Sequence, residues 1–404
     1  MITDLEPAAA PRPTGNWIIG LDASRNRSGG AKSHLIGLLK AADPREFGIS
    51  EVHVWSYRSL LAALPQTDWL VKHEHAALEQ PLPWQIAWQA RHLRRALTDL
   101  GCHALLTTDA GSLCRFEPAV VMSRDMLSFE PREMRRYGVS VGRLRLLALR
   151  HVQVNSLRRA AGALFLTQYA SDVIQHYTGA LARARVIPHG ISDHFRRSPA
   201  SRPFRNAGTP LRCVYVSNAD VYKHQWHVVA AFASLRAAGH NVRLKLVGAQ
   251  AGPSQARVAA AVARHDPTRS FVEITPMMAH EAIPGELGEA DLFVFASSCE
   301  NMPNTLVEAM ASALPIVCSN RGPMPEILRD GGIYFDPEDP ASIAAAVSTL
   351  LADQPRRVAC AVRAEELARH YSWRRCAQET WHYLTEIAAV FARTANRSAP
   401  VQRR

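Results

Sequence analysis

Lysine is nearly missing from this chain of 404 residues. It stands only at Lys32, Lys40, Lys72, Lys223 and Lys245, although lysine and arginine together number 47 and the formal net charge is +11. The positive charge is therefore almost all arginine. Genome composition alone can produce that bias, so the charge is a weak sign of nucleic acid. It suits any polyanionic partner, a phosphorylated substrate or an anionic membrane surface. No window comes near 18 consecutive apolar residues, which excludes a membrane-spanning helix. The opening MITDLEPAAAPRPTG is acidic and rich in Pro and Ala, without the basic and then apolar stretches of a secretory signal. No C-x-x-C pair occurs. The cysteines (Cys102, Cys114, Cys213, Cys299, Cys318, Cys360 and Cys376) are odd in number, and several sit inside apolar runs. They read as buried free thiols in a reducing compartment. The expected location is the cytoplasm, at most peripheral at the inner face of the membrane. The 17 histidines never take H-E-x-x-H spacing, and there is no D-x-D pair to hold a divalent cation. No metal site and no cofactor are expected. Without G-x-S-x-G, Ser-His-Asp hydrolysis has no support either.

What the chain does have is alternation. NWIIGLD, VHVW, HALLTTD, PAVVMSRD, GALFLTQ and ARVIPHG are apolar runs separated by helical stretches. Each run is too apolar for a half-exposed strand, which points to a parallel sheet covered on both faces. The Arg-, Pro- and Ser-rich stretch at 196–210 reads as a linker. Behind it the alternation restarts with LRCVYVS, VRLKLVG, SFVEI, DLFVFAS and LPIVCSN. The reading is α/β, with two doubly wound Rossmann-like domains at 16–195 and 211–375. Residues 1–15 are expected to be flexible, and 393–404 to form a disordered tail.

In open parallel sheets, ligands bind where strand ends lead into helix starts. CENMPNTLVEAM is the most informative such turn. Glu300 lies in the loop after DLFVFAS. The helix is expected to start at Asn304 as N-cap, with Thr305 first inside, and Glu308 lies one turn in on the face of Asn304. The order is carboxylate, free backbone amides, carboxylate. Helix N-terminal amides suit a phosphate, whereas carboxylates suit hydroxyls. A nucleoside diphosphate sugar has that order: sugar, phosphates, ribose, base. Taken alone, the two glutamates also fit a plainer reading, in which Glu308 complements the helix dipole and Glu300 is a solvated loop residue.

CENMPNTLVEAMASALPIVCSN, with GPMPEIL and GGIYFDPEDPASIAAAV behind it, resembles the donor-binding domain of the retaining glycosyltransferases of family four, the group 1 transferases of the GT-B fold. SGGAKSHL, VIPHGIS, YVSNADVYKHQ and YSWRRCAQETWHYL agree with it, so the resemblance spans about residues 17–385. It implies a central cleft between the domains and a C-terminal helix, 376–392, that returns toward the first domain. It also implies a metal-independent enzyme of polysaccharide or lipopolysaccharide synthesis. Such an enzyme moves a hexose, with retention, from a nucleoside diphosphate sugar to a hydroxyl of a glycan or lipid-linked acceptor.

The resemblance also assigns roles. Glu300 contacts the transferred sugar and Glu308 holds the ribose. Lys223 neutralises the departing diphosphate as a point charge, helped by Asn218, which stands where the family commonly has arginine. The amides of Pro303, Asn304, Thr305 and Leu306 contribute as well. Gly29 and Gly30, in a loop preceding a helix, let the backbone approach the phosphates. Met277 lies near the base. Arg124 and Asp125 stand where many members have a His–Asp pair. Arginine cannot shuttle protons, so Asp125 is the candidate to bind or deprotonate the acceptor hydroxyl; the alternative is that Asp125 caps the following turn.

Two rival functions remain at this point. One is a sugar-nucleotide epimerase of the same fold. The other is a basic nucleic-acid binder, for which no recognised motif appears, so nucleic acid is not expected as a partner. A basic helix around Arg143–Ala161 is read either as an amphipathic core helix or as a face for anionic lipid headgroups.

Overall fold

The computed structural model describes residues 15–27, 29–199 and 208–398. The expected flexible start falls almost entirely outside these residues. The first domain holds β1 (Trp17–Asp22), β2 (Ile49–Ser56), β3 (Leu70–Glu74), β4 (Ala104–Thr107), β5 (Ala119–Met122), β6 (Gly162–Phe165) and β7 (Ala184–Val186). They form one parallel sheet in the order β3-β2-β1-β4-β5-β6-β7. The second domain holds β8 (Leu211–Val216), β9 (Val242–Ala249), β10 (Val272–Pro276), β11 (Leu292–Phe295), β12 (Ile316–Ser319) and β13 (Ile333–Phe335). These run parallel in the order β10-β9-β8-β11-β12-β13.

The central strands are buried along almost their whole length: β4, β6, β11 and β12 have no exposed residue. That is why they read as continuous apolar runs rather than as alternation. Strand β3 is the exception. LVKHE is mostly half-buried and lies at the sheet edge, where charged side chains discourage pairing with another chain. Its polarity hides it in the sequence.

In both sheets the strand order reverses in the middle, between β1 and β4 and between β8 and β11. The crevice at such a reversal is where ligands bind in this architecture. The two crevices face each other across the cleft between the domains.

The chain crosses from the first domain to the second beyond Phe195. The Arg197 amide already donates to the Ala311 carbonyl of the second domain at 2.9 Å, so the expected linker is anchored at its start. Residues 200–207 of it lie outside the described residues. The chain crosses back before a long final helix, Trp373–Ser398. This helix lies on the first domain: the Tyr383 hydroxyl donates to the Arg183 carbonyl at 2.8 Å, and Arg185 pairs with Glu386 at 2.7 Å. The expectation of a disordered tail from 393 is corrected over 393–398, where the helix simply continues; 399–404 lie outside the described residues. All seven cysteines are free thiols, and six are buried.

The basic helix runs from Val141 to Arg159, and only Gln153 and Leu157 along it are buried. Its second half packs one side on the core through Val154 and Leu157 and leaves the other side solvated, whereas its first half is largely exposed. Its preceding loop and first two turns expose Val139, Val141, Leu144 and Leu147.

Candidate active site

Two helix starts meet in the cleft. In the first domain, β1 leads to the helix Gly29–Ala41. The glycine pair is therefore the first turn of the helix rather than a loop preceding it. A methyl group on Gly29 would meet nothing, but one on Gly30 would lie 3.2 Å from Asn304 Nδ2 of the opposite domain. A side chain at position 30 would thus press on Asn304 across the cleft, whereas one at position 29 would not. In the second domain, β11 leads through Glu300 to the helix Asn304–Ala311.

The cap of that second helix differs from the expectation by one residue. Pro303 is the flanking residue and Asn304 is the first helical one, with no side-chain cap. Two consequences follow. Pro303 has no N–H to offer a ligand. The Leu306 amide is already committed to the Pro303 carbonyl at 3.1 Å. Of the four amides expected to face a phosphate, Asn304 and Thr305 carry the first two of the helix and both line the cleft. The Asn304 side chain instead reaches toward Gly30.

Lys223 sits in the loop after β8 and is buried. The loop is fixed from several sides. The Tyr215 hydroxyl donates to the Lys223 carbonyl at 2.8 Å. The Ser298 amide donates to the Tyr222 carbonyl at 2.8 Å, and His224 Nε2 lies 2.9 Å from Ser298 Oγ. His224 takes a left-handed conformation, φ 48°, to start the helix Gln225–Ala237. The result brings Lys223 Nζ into an ion pair with Glu300 Oε1. The predicted sugar contact and the predicted leaving-group cation are one unit at the same end of the cleft.

Glu308 is buried. Its Oε1 accepts from His280 Nε2 at 2.8 Å, and its Oε2 is buried without a hydrogen-bond partner among the described residues. His280 was not singled out in the sequence: a histidine in a loop 28 residues away carries no motif. Its pKa is raised above the usual value by the hydrogen bond to Glu308. Asn218 and Met277 also line the cleft, and Met277 is exposed. The lining encloses about 750 Å³, a volume in the range of ordinary small-molecule sites.

Asp125 is not where the sequence placed it. Its Oδ1 accepts from the Leu127 amide at 3.0 Å, capping the short turn Leu127–Phe129. It is not among the residues lining the cleft, and burial raises its pKa. The capping alternative is the one observed. Arg124 lines the cleft instead, together with His34 and His189. Both histidines are buried, and burial holds their pKa values down, that of His189 to about 4. They are neutral at pH 7. Among the described residues, no group of three His, Cys, Asp or Glu side chains is arranged to hold a metal ion, and no helix is long and apolar enough to cross a membrane.

Residues 210–353 match the family model described as glycosyl transferases group 1. Among curated proteins, the chain is 33% identical over 100 residues to the O-antigen chain mannosyltransferase B of Escherichia coli, covering 25% of this chain and 26% of that one. It is 27% identical over 219 residues to the D-inositol 3-phosphate glycosyltransferase of Corynebacterium efficiens, covering 50% and 51%. It is 26% identical over 246 residues to a GDP-mannose-dependent alpha-(1-6)-phosphatidylinositol monomannoside mannosyltransferase of Mycobacterium tuberculosis, covering 57% and 60%. The matches thus span between about a quarter and three fifths of these relatives. Among solved structures, sucrose-phosphate synthase from Thermosynechococcus elongatus superposes with a TM-score of 0.71 at 16% identity, covering 94% of this chain and 98% of that one. Anabaena HepE in complex with UDP superposes with a TM-score of 0.69 at 19% identity, covering 92% and 100%. At such identities the likeness is one of fold: two parallel sheets around a cleft, the GT-B arrangement.

Proposed function

We propose that this protein, whose residues 210–353 match the family model of the group 1 glycosyl transferases, is a retaining, metal-independent glycosyltransferase. It moves a hexose from a nucleoside diphosphate sugar to a hydroxyl of a growing glycan or lipid-linked oligosaccharide. One observation carries the reading: the two helix starts meet, at Gly30 and Asn304, in a cleft that is also lined by the Lys223–Glu300 pair and by Glu308. The names of the relatives, two of them mannosyltransferases, and the UDP complex of HepE support a nucleotide-sugar donor. The family match and these relatives favour transfer over epimerisation and over nucleic-acid binding.

In this reading the bond between the anomeric carbon and the diphosphate oxygen breaks, and the acceptor oxygen bonds to that carbon. Charge builds on the departing diphosphate. Lys223 and the Asn304 and Thr305 amides are fixed before the reaction, so they stabilise that charge without reorganising. Glu300 holds the sugar and favours the positive charge at its anomeric carbon. The free Oε2 of Glu308 accepts from a ribose hydroxyl. Asp125 caps a turn and does not line the cleft, so in this reading the acceptor proton passes to an oxygen of the departing diphosphate.

The test is calorimetric titration with UDP, GDP, ADP and TDP, followed by turnover with the sugars of whichever nucleotide binds. Product anomers are assigned by NMR. Binding of none of the four, or an inverted product, defeats the reading.

The exposed Val139, Val141 and Leu144, beside exposed Arg135 and Arg145, support a peripheral contact with anionic lipid. Apolar tips that enter the interface beneath arginines that meet headgroups have this composition. Co-sedimentation with anionic but not neutral vesicles, abolished by Val141→Glu with Leu144→Glu, is the expected result. Equal recovery with both vesicle types removes this part.

A further inference from the structure

The cleft holds a cation without a counter-charge. Arg124 follows β5 on the first-domain wall. It makes no ion pair among the described residues, and its Nη1 is buried without a hydrogen-bond partner among them. Burial lowers its pKa only to about 10, so it is charged at neutral pH. The carboxylate whose charge reaches it, Asp109, is bound to Arg25 at 3.1 Å. The histidines that feel its charge, His34 and His189, are neutral. A guanidinium with a buried, unbonded Nη1 is costly to keep, and the charge that reaches it among the described residues, that of Asp109, is already engaged by Arg25.

Arg124 stands beside the centre of the cleft. Its neighbour Ser123 accepts at its carbonyl from Asn301 Nδ2 at 3.4 Å, and Asn301 adjoins Glu300. Thr167 at the end of β6 donates to the Asn301 carbonyl at 2.9 Å. The loop that presents Glu300 is therefore fastened to the strand end that presents Arg124. On the second-domain wall, meanwhile, Lys223 is already paired with Glu300. Together the two contribute no net charge. A diphosphate placed between the helix starts carries more than one negative charge, and among the described residues lining that wall Lys223 is the one Lys or Arg.

We infer that Arg124 is the second cation of the diphosphate site, reaching the phosphate oxygens from the first domain across the cleft from Lys223. This rests on the nucleotide-sugar reading above. The planar fork of the guanidinium can take two phosphate oxygens at once. A ligand held by Arg124 on one wall and Lys223 on the other contacts both domains.

The experiment compares nucleoside diphosphate with nucleoside monophosphate, by calorimetry at several salt concentrations, using the nucleotide that the wild type binds best among UDP, GDP, ADP and TDP. Arg124→Gln is expected to lower diphosphate affinity by roughly 10–100-fold, the effect of one charge-assisted hydrogen-bonded contact. Monophosphate affinity should fall much less, and the salt dependence of diphosphate binding should flatten. Arg124→Lys should recover part of both. A merely structural role would lower both affinities together and leave the salt dependence alone. Should Arg124→Gln fail to fold, as judged by circular dichroism, Arg124→Lys decides: it keeps the charge and loses the fork, so an intermediate diphosphate affinity is required. Wild-type affinity in either folded variant, with unchanged salt dependence, overturns the assignment of Arg124 while leaving the wider reading intact. Failure of the wild type to bind any of the four nucleotides overturns both, and it is seen before a variant is made.

Discussion

Lys223 and Glu300 neutralise one another across the loop ends of β8 and β11. Both side chains are nearly buried, at 10% and 16% exposure. Neither therefore acts alone, and removing one leaves the other's charge exposed to whatever ligand enters.

Glu300→Gln separates the two ends of the ligand. It keeps the shape but frees Lys223 from its counter-charge. Turnover should fall, because the positive charge at the sugar loses its stabilisation. Affinity for the product nucleoside diphosphate, which has no sugar, should hold or tighten. Steady-state kinetics with the cognate donor and calorimetry with the product check this. Weakened product binding, or turnover within about twofold of wild type, places Glu300 elsewhere.

Lys223→Ala should cost about 10²–10³-fold in turnover, the usual effect of removing one preorganised stabiliser of transition-state charge. EDTA should leave wild-type turnover intact. Turnover that stops in EDTA and returns with Mg²⁺ or Mn²⁺ contradicts metal independence.

Glu308→Ala should show the opposite signature to Glu300→Gln. In the proposed reading the unpartnered Oε2 takes the ribose diol, and a lost charged hydrogen bond is worth about 1–3 kcal/mol. Product nucleotide affinity should fall by that amount. Unchanged affinity in a folded variant ends the ribose assignment.

The His280–Glu308 contact makes a pH prediction. The hydrogen bond to Glu308, and then the charges of Glu308 and Glu281, raise the pKa of His280 above 6.5, against an opposing effect of burial. A group with a raised folded pKa contributes stability that is complete below its unfolded value and is lost as pH rises through the folded one. The difference in melting temperature between wild type and His280→Gln should therefore be largest below pH 6.5 and shrink as pH rises above it. A difference that grows with pH contradicts the pairing. Since His280 is about half exposed, solvent screening keeps the effect small.

Much of the fold was legible because its strands are buried on both faces, which makes LFVF and IVCS read as unbroken apolar runs. The edge strand LVKHE was not legible, since a half-buried edge tolerates Lys72, His73 and Glu74. The place of Glu300, Lys223 and Glu308 in the cleft could be read because each sits next to a strand end or a helix start, and the chain order fixes both. Asp125 could not be read correctly. A carboxylate after a strand can cap a turn or face a ligand; here Asp125 caps the turn and Arg124 lines the cleft. His280 was invisible for a different reason: its meeting with Glu308 is purely tertiary.

The outgoing and returning crossings between the domains touch. The Ile191 amide donates to the Tyr371 carbonyl at 3.3 Å, Ile191 bridges in parallel to Ser372, and Arg196 donates to the same Tyr371 carbonyl at 3.0 Å. A methyl group on Gly190 would fall 2.0 Å from the Trp373 amide nitrogen, so the two segments lie backbone to backbone. Two cords fastened side by side behave as a single torsion bar. They resist sliding and splaying along that seam. The walls are also tied across the cleft by Thr167 to Asn301, by Arg136 to Glu338 and by the Gln168 and Tyr169 amides to Glu326. A single cut in one cord therefore leaves the other, and these ties, to keep the walls in register.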